Sequence, residues 1–338
     1  MNSYHNLKEY KILKLLSFFT KLFHFIPSEL SHSLALKGLK VITSLGYRLN
    51  KRGYLEDLKL LDCHFQNPLG IAAGLDKNGD YIDSLASIGF GFLEIGTVTP
   101  KPQYGNKKPR LFRDKPSKAI INRMGFNNKG INHLVKQLKK RKSAIPIGVS
   151  IGKNFDTPNN LAVNDYLYCL DKVFESADYI AINISSPNTE DLRSFEIKKE
   201  LEDLIKPIKQ RQLKLSKKFG YKPLLLKISP DNDDKGIEDI CKILLRFSID
   251  GLICTNTTIN HNHISGSGGL SGKPLMGAST EILKKARKFL GEEFPIIASG
   301  GVMSKQAYQD KIEAGANLVQ IYTGFIYEGP QLIEDIIK

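Results

Sequence analysis

Eight short apolar runs, spread through residues 69–322 and each bounded by turn-forming residues, constrain this chain more than any other feature. They are Leu69–Ala73, Phe92–Thr97, Ile145–Ile151, Tyr179–Ile184, Leu224–Ile228, Gly251–Thr255, Ile296–Ser299 and Leu318–Tyr322. A continuous apolar run of this length marks a strand covered on both faces, as in a parallel sheet. Helical spacing fills most of the intervals, over Asn132–Lys142, Tyr166–Ser176, Lys198–Lys218, Gly236–Phe247, Thr280–Leu290 and Lys305–Ala314. Eight such alternations predict a (β/α)₈ TIM barrel and disfavour an all-β or bundle fold. An open doubly wound sheet is the alternative. It would carry a G-x-G-x-x-G turn after its first strand, which Gly70-Ile-Ala-Ala-Gly-Leu-Asp76 does not match. Leu58–Leu60 and Cys63–Phe65 predict a short hairpin leading into the barrel.

At 338 residues and 41% hydrophobic, the chain can bury one large core. Its formal charge of +14 points to anionic partners. Cys63, Cys169, Cys241 and Cys254 form no C-x-x-C pair and no metal-ligand spacing, which predicts a reducing compartment and no metal centre. No segment reaches the roughly 18 uninterrupted apolar residues of a membrane span.

The charge is unevenly placed. Residues 1–52 hold nine Lys/Arg against two Glu, half of the net charge in under a sixth of the length. Ile12, Leu15, Leu16, Phe19, Leu22, Phe23 and Ile26 follow helical spacing, with Lys14, Ser17 and Lys21 on the opposite face. Pro27-Ser28-Glu29 separates this helix from a second one, with Ser28 as N-cap and Leu30, Leu34, Val41, Leu45 and Leu49 on one side. Two basic amphipathic helices fit an anionic lipid surface, or equally a helical pair packed on the main domain or a partner subunit. The expected organisation is an N-terminal helical extension over 1–52 and a barrel domain over 53–338.

Barrel active sites sit at the carboxyl ends of the strands. Those ends supply Ala73-Gly-Leu-Asp-Lys77, Gly96-Thr97, Ser150, Asn183-Ile-Ser-Ser-Pro-Asn-Thr189, Lys227, Thr255-Asn-Thr-Thr258, Ser299-Gly-Gly301 and Tyr322-Thr-Gly324. The set is rich in amides and hydroxyls, with two lysines and no cluster of histidine or carboxylate. It suits a polar anionic ligand and excludes a Ser-His-Asp hydrolase. Gly300-Gly301, Tyr322-Thr-Gly324 and Gly268-Gly-Leu-Ser-Gly272 are candidate phosphate-binding loops. Lys227, flanked by Leu224–Leu226 and Ile228, must meet an anion or an electron-rich ring if it is buried.

Taken together, Ala72-Ala-Gly-Leu-Asp-Lys77, Glu94-Ile-Gly-Thr-Val-Thr-Pro100, Asn122-Arg-Met-Gly-Phe-Asn-Asn128, Ile151-Gly-Lys-Asn154, the Asn183–Thr189 run, Thr255-Asn-Thr-Thr258 and Leu318-Val-Gln-Ile-Tyr322 resemble the dihydroorotate dehydrogenases over nearly the whole chain. The resemblance implies an FMN-containing barrel that oxidises dihydroorotate to orotate in pyrimidine biosynthesis. It is to the membrane-associated, quinone-reducing class, which carries serine as base, here Ser186, and an N-terminal helical pair forming the quinone entrance. By that likeness Ser186 takes a proton from the ring carbon beside the carbonyl while hydride leaves the adjacent carbon for the flavin, with Thr189 and Phe126 in the proton relay.

The same resemblance assigns the substrate to Lys77, Asn122, Arg123, Met124, Gly125, Phe126, Asn183, Asn188, Asn256 and Thr257. It assigns FMN to Ala73, Gly74, Lys77, Thr97, Ser150, Asn183, Lys227, Thr255, Gly272, Gly301, Tyr322 and Thr323. His32 and Arg113 are expected at the quinone tunnel. Ser150 departs from the family's usual asparagine; being shorter, it implies a modestly altered flavin contact. Ser186 and the basic helices argue against the soluble classes, so no iron–sulfur partner subunit is expected. A tRNA dihydrouridine synthase needs a catalytic cysteine and an RNA-binding domain after its barrel, for which the sixteen residues past Tyr322 are too few. No nucleic-acid partner is expected. The expected location is the cytoplasmic side of a bacterial inner membrane.

Overall fold

The computed structural model describes Ser17, Thr20 and residues 23–45, 57–261 and 266–338. Eight parallel strands close into a barrel: β3 (Leu69–Ile71), β4 (Phe92–Val98), β7 (Ile147–Ile151), β8 (Tyr179–Asn183), β9 (Leu224–Ile228), β10 (Gly251–Cys254), β12 (Ile296–Ser299) and β13 (Leu318–Ile321). The chain visits them in this order, and β13 pairs with β3 to complete the ring. Every one of the eight apolar runs therefore forms a barrel strand, one or two residues shorter than expected in several cases, because the last residues bend into the rim. The hairpin is also present, with β1 (Leu58–Leu60) antiparallel to β2 (Cys63–Phe65).

Why these runs close a barrel is clearest at its lower end. Alternate residues point inward, and here Phe65 of the hairpin joins Phe92, Tyr179, Leu225, Ile253, Ile297 and Leu318 in one fully buried cluster. The Phe65 and Phe92 rings meet edge to face, 5.4 Å apart. Two glycines make room for the rings. A Cβ at Gly70 would lie 2.5 Å from Phe92, and one at Gly148 would lie 2.0 Å from Tyr179. The outer face of the strands packs under the helices. The helix Asp234–Arg246, for example, buries Ile237, Ile240, Cys241, Ile243 and Leu244, and starts where the Asp233 carboxylate accepts the Gly236 N–H at 2.7 Å. Each such apolar side chain stabilises the fold by about 1.5–3 kcal/mol when fully buried.

A second sheet was not apparent from the sequence. β5 (Leu111–Asp114), β6 (Ala119–Asn122) and β11 (Gly269–Gly272) form an antiparallel layer in the order β11-β6-β5 beside the barrel mouth. Four-residue strands carry too little alternation to reveal themselves, and β5 is charged at two of its four positions. The chain closes with two further short helices, Thr323–Glu328 and Gln331–Ile337, the second burying Leu332, Ile333, Ile336 and Ile337.

The N-terminal extension differs from expectation in part. Its described helix, α1, spans Ser28–Ser44. The stripe that fitted either a lipid surface or a packed helical pair is exposed: Leu30, Leu34, Val41 and Leu45 are 52%, 41%, 59% and 71% accessible. Leu36 and Leu39 are buried instead. Ser28 is the first helical residue and not the cap; its hydroxyl accepts from Arg113 Nε at 3.1 Å. Phe23–Phe25 form a 3₁₀ turn, and Ser17, expected on the solvent face, is buried with its hydroxyl accepting the Gln331 N–H at 3.0 Å. The rest of the first expected helix, Leu49 and the expected boundary at residues 52–53 lie outside the described residues. Among the described residues no helix is long and apolar enough to cross a membrane.

The glycine gaps lead to an expected outcome. Gly148→Ala forces a methyl group against the fully buried Tyr179 ring, and overpacking of this kind costs about 1–3 kcal/mol. Urea denaturation of the purified variant should show that loss; native stability would mean that the ring is free to move.

Candidate active site

Above the aromatic floor the barrel interior turns polar and opens into a cavity of about 970 Å³, counted out to where it meets solvent. Its walls come from every barrel strand except β7, with β6 and β11 completing the rim.

The β8 end supplies the densest cluster. Asn183, Ser185, Ser186 and Thr189 are all buried where the chain leaves β8, which ends at Asn183, four residues before Pro187. Asn183 donates to Thr97 Oγ1 at 2.7 Å and accepts from Ser185 N at 3.2 Å. Asn256, from the β10 end, donates to Ser185 Oγ at 3.0 Å. Across the cavity Asn188 donates to Asn122 Oδ1 at 3.1 Å, and Asn122 donates to the Gly269 carbonyl. Four asparagines from three different segments thus stand as two linked pairs. Uncharged amides present both donors and acceptors, so they suit a ring that carries N–H and C=O groups.

Ser186 lines the cavity at 6% exposure, and its Oγ accepts the Asn188 N–H at 3.3 Å. An N–H aimed at that oxygen favours negative charge on it. Thr189 is 5% exposed and stands outside the lining, with its hydroxyl buried and without a hydrogen-bond partner. Phe126 also enters the lining, its ring beside Gly152 at the end of β7. Gly125 and Phe126 adopt φ of 67° and 50°, two successive left-handed residues that fold their loop into the mouth. The Asn128 side chain holds this turn by donating to the Phe126 carbonyl at 2.6 Å.

Two lysines face the cavity. Lys77 donates to the Gly74 carbonyl at 2.8 Å; burial and then the Arg110 guanidinium push its ammonium down to about 8, against Glu29 and Asp76. Lys227 reaches in from β9 with its Nζ 3.6 Å from Glu94 Oε1.

Ala73, Gly74, Thr97, Thr255 and Tyr322 form the wall beside the lysines, and Met124, Gly125 and Thr257 form the rim. The third element of the site is glycine-rich. Gly272, Gly300 and Gly301 lie at φ 97°, 118° and 80°. A Cβ on Gly301 would come within 2.3 Å of Met276 Cα, and one on Gly324 within 2.2 Å of the Val302 carbonyl. Only glycine permits such close backbone approach. Thr323 joins this loop cluster, its hydroxyl paired with Ser271 Oγ at 2.8 Å.

Small residues along one wall, a phosphate-compatible glycine cluster at one end and lysine donors between them fit a flat, phosphorylated cofactor such as FMN.

Besides Thr189, two residues expected in the substrate and cofactor site do not line the cavity. Ser150 is fully buried beneath the lining and reaches the site only through Thr97, 2.9 Å between hydroxyls. The Arg123 guanidinium turns outward to the Pro109 carbonyl and Ser267. His32 and Arg113 lie at the seam with α1 and do not line this cavity. Burial and the nearby Lys77 ammonium push His32 down to about 4, against its hydrogen bond to the Leu75 backbone and the Glu29 carboxylate. Arg113 fastens the helix start, donating to Ser28 Oγ, the Phe23 carbonyl at 2.9 Å and the Ile26 carbonyl.

Other contributors were not legible in the sequence. Ser271, Leu275, Met303 and Gln320 line the cavity. Arg110 pairs with Glu29 of α1 at 2.8 Å and also donates to the Tyr104 and Asn106 carbonyls. Asn106 in turn donates to the Asn188 carbonyl at 3.2 Å. Arg193 donates to the Ser185 and Thr257 carbonyls at 3.0 and 2.7 Å and pairs with Asp231, tying two rim loops together. An arginine in a polar stretch reads as surface charge, so only tertiary structure reveals these roles.

A family model described as dihydroorotate dehydrogenase matches residues 56–338. The dihydroorotate dehydrogenase (quinone) of Vibrio parahaemolyticus is 48% identical over 322 residues, covering 93% of this chain and 96% of that protein. The protein of the same description from Shewanella piezotolerans is 50% identical over 322 residues, covering 92% and 94%. Among solved structures, DHODH from Eimeria tenella in complex with ferulenol superposes with a TM-score of 0.83 at 35% identity, covering 91% of this chain and 89% of that one.

The lowered Lys77 gives the site a pH dependence. Its ammonium is present below about 8 and lost above, so affinity for a carboxylate ligand should fall as pH rises through that value. The fall approaches about tenfold per pH unit, until the value for the liganded enzyme is reached. Equilibrium titration across pH 6.5–9.5 checks this with orotate as probe, and Lys77→Met should flatten the profile. A flat profile in the unaltered chain removes Lys77 from contact with the carboxylate.

Proposed function

The chain belongs to the dihydroorotate dehydrogenase family, and from that premise we propose that it oxidises (S)-dihydroorotate to orotate in pyrimidine biosynthesis, with a membrane quinone as terminal electron acceptor. FMN, when bound, supplies the hydride acceptor and passes the electrons on to the quinone. The observation that carries this reading is Ser186: a buried hydroxyl lining the cavity, backed by the Asn188 N–H and followed three residues on by an unpartnered Thr189 hydroxyl.

The residues have separable tasks. The pairs Asn183–Asn256 and Asn122–Asn188 hold the ring through its amide and carboxylate groups and fix the scissile C–H bonds in one orientation. Lys77 pairs with the substrate carboxylate and also reaches the cofactor. Ser186 Oγ accepts the proton from the carbon beside the ring carbonyl. A serine hydroxyl is a poor base unaided, so the proton must move on, and the Thr189 hydroxyl is the group available to take it. Phe126, the other residue assigned to the relay, closes the site around it and limits water at the reacting carbons. FMN would be held by Ala73, Gly74, Lys77, Thr97, Asn183, Lys227 and Thr255 at the ring and by Gly272, Gly301, Tyr322 and Thr323 at the phosphate, with Ser150 acting through Thr97.

Residues 1–52 are assigned to the quinone entrance and to an anionic lipid surface, with 53–338 as the catalytic barrel. The exposed stripe of Leu30, Leu34, Val41 and Leu45, together with Phe25 at 82% accessible, supports a membrane-facing side of α1. His32 and Arg113 sit on the barrel side of the same helix, where a quinone would pass between extension and barrel. The proposed location is the cytoplasmic face of a bacterial inner membrane. No iron–sulfur subunit and no nucleic acid enters this scheme.

Two experiments test it. Ser186→Ala should slow anaerobic flavin reduction by dihydroorotate by about 10²–10⁴-fold while leaving quinone reoxidation of pre-reduced enzyme little changed. Equal reduction rates would take the proton-acceptor role from Ser186. Deleting residues 1–52 should spare flavin reduction but abolish most turnover with a long-chain quinone in detergent. Undiminished turnover there would count against the entrance assignment.

A further inference from the structure

Between the aromatic floor and the cavity lies one carboxylate, Glu94, that the proposed chemistry does not use. Phe92 and Glu94 are successive inward residues of β4, as are Leu225 and Lys227 of β9 and Leu318 and Gln320 of β13. Glu94 is therefore held one layer below the site, and its side chain is 0% accessible. A carboxylate so placed is destabilising unless it is paired and hydrogen-bonded.

Its two oxygens are treated differently. Oε2 accepts from Gln320 Nε2 at 2.8 Å and from the Tyr179 hydroxyl at 3.2 Å. Oε1 has no hydrogen bond and faces Lys227 Nζ at 3.6 Å. That separation is beyond the usual N–H···O range of about 2.7–3.2 Å, yet well within reach of Coulomb attraction. Lys227 makes no hydrogen bond to any described residue, and it lines the cavity. The carboxylate thus compensates the ammonium from behind without occupying its donors. All three N–H groups remain for a ligand above.

We infer that Glu94 is a positioning residue for the flavin: anchored through Oε2 by Gln320 and Tyr179, it holds the Lys227 ammonium in place and moderates the positive charge that the cavity presents to bound FMN. The inference rests on the functional reading above, since it takes FMN as the ligand over Lys227. With both charges present the layer is neutral overall, and the cofactor meets a directed donor whose charge is partly cancelled. With Glu94 neutralised, the same ammonium acts uncompensated in a medium of low polarity. Negative charge developing on the cofactor is then stabilised more strongly, and reduction becomes more favourable.

Glu94→Gln tests this, because it keeps the shape and one acceptor oxygen for Gln320 and Tyr179 while removing the charge that faces Lys227. In the FMN-loaded variant the midpoint potential of the flavin should rise. The expected rise is at least a tenfold shift in the oxidised-to-reduced ratio, about 30 mV for a two-electron couple. Reoxidation by quinone should slow in parallel. Glu94→Asp retains the charge but draws it back from Lys227, so its potential should lie between the native value and that of Glu94→Gln. The aspartate variant also serves alone if the glutamine variant does not fold.

A purely structural Glu94 would lower the melting temperature of both variants without an ordered change in potential. An unchanged or lowered potential in the FMN-loaded variants overturns the inference while leaving the functional reading intact. Failure of the unaltered chain to take up FMN defeats that reading itself.

Discussion

Two aromatic rings at the bottom of the barrel fill space that a single methyl group on Gly70 or Gly148 would claim. Because Phe92 and Tyr179 lie flat against those bare backbone segments, and Phe65 wedges beside them, the lower half of the interior is dry and closed. Everything polar is thereby displaced upward. The strands cannot carry amides or lysines in that layer without stranding them from water, so such residues gather at the carboxyl rim, where a ligand can satisfy them. Glu94 marks the border: it stands one layer above the rings and needs three neighbours, Gln320, Tyr179 and Lys227, to be tolerated there.

The site above this border is notable for how little charge it uses. Recognition is delegated to asparagine pairs that brace one another across segments. Bracing of this kind narrows the rotamers before any ligand arrives, which is how orientation is obtained at low entropic loss on binding. The rim loops that carry these amides are themselves tied by arginines. Arg193 spans the loops after β8 and β10, and Arg110 links the Tyr104–Asn106 turn to α1.

Much of this was legible in the sequence, for a definite physical reason. Parallel strands covered on both faces must be continuously apolar, and the first polar residue after each run is then at the rim by necessity. That logic located Lys77, Thr97, Asn183, Ser186, Lys227, Asn256 and the glycine loops, all of which line the cavity. It failed where a residue's neighbours are distant in the chain. Gln320 is polar inside an apolar strand and is accounted for only by Glu94, 226 positions away. Ser150 ends a strand yet stops short of the cavity, since its hydroxyl is taken by Thr97. Arg123 sits in the right segment, but the Pro109 carbonyl and Ser267 draw it outward. The packing face of α1 stayed open in the sequence because both sides of the helix carry leucines, and spacing cannot say which stripe meets the barrel.

That second stripe has a practical meaning. Leu30, Leu34 and Val41 sit on one side of α1, while Leu36 and Leu39 already bind the helix to the barrel from the other. In plain buffer, two copies of the molecule can shield these leucines by placing the stripes back to back, and micelles would separate them again. Mass measurements made with and without surfactant will therefore describe the state of this helix and not a preference of the barrel for company.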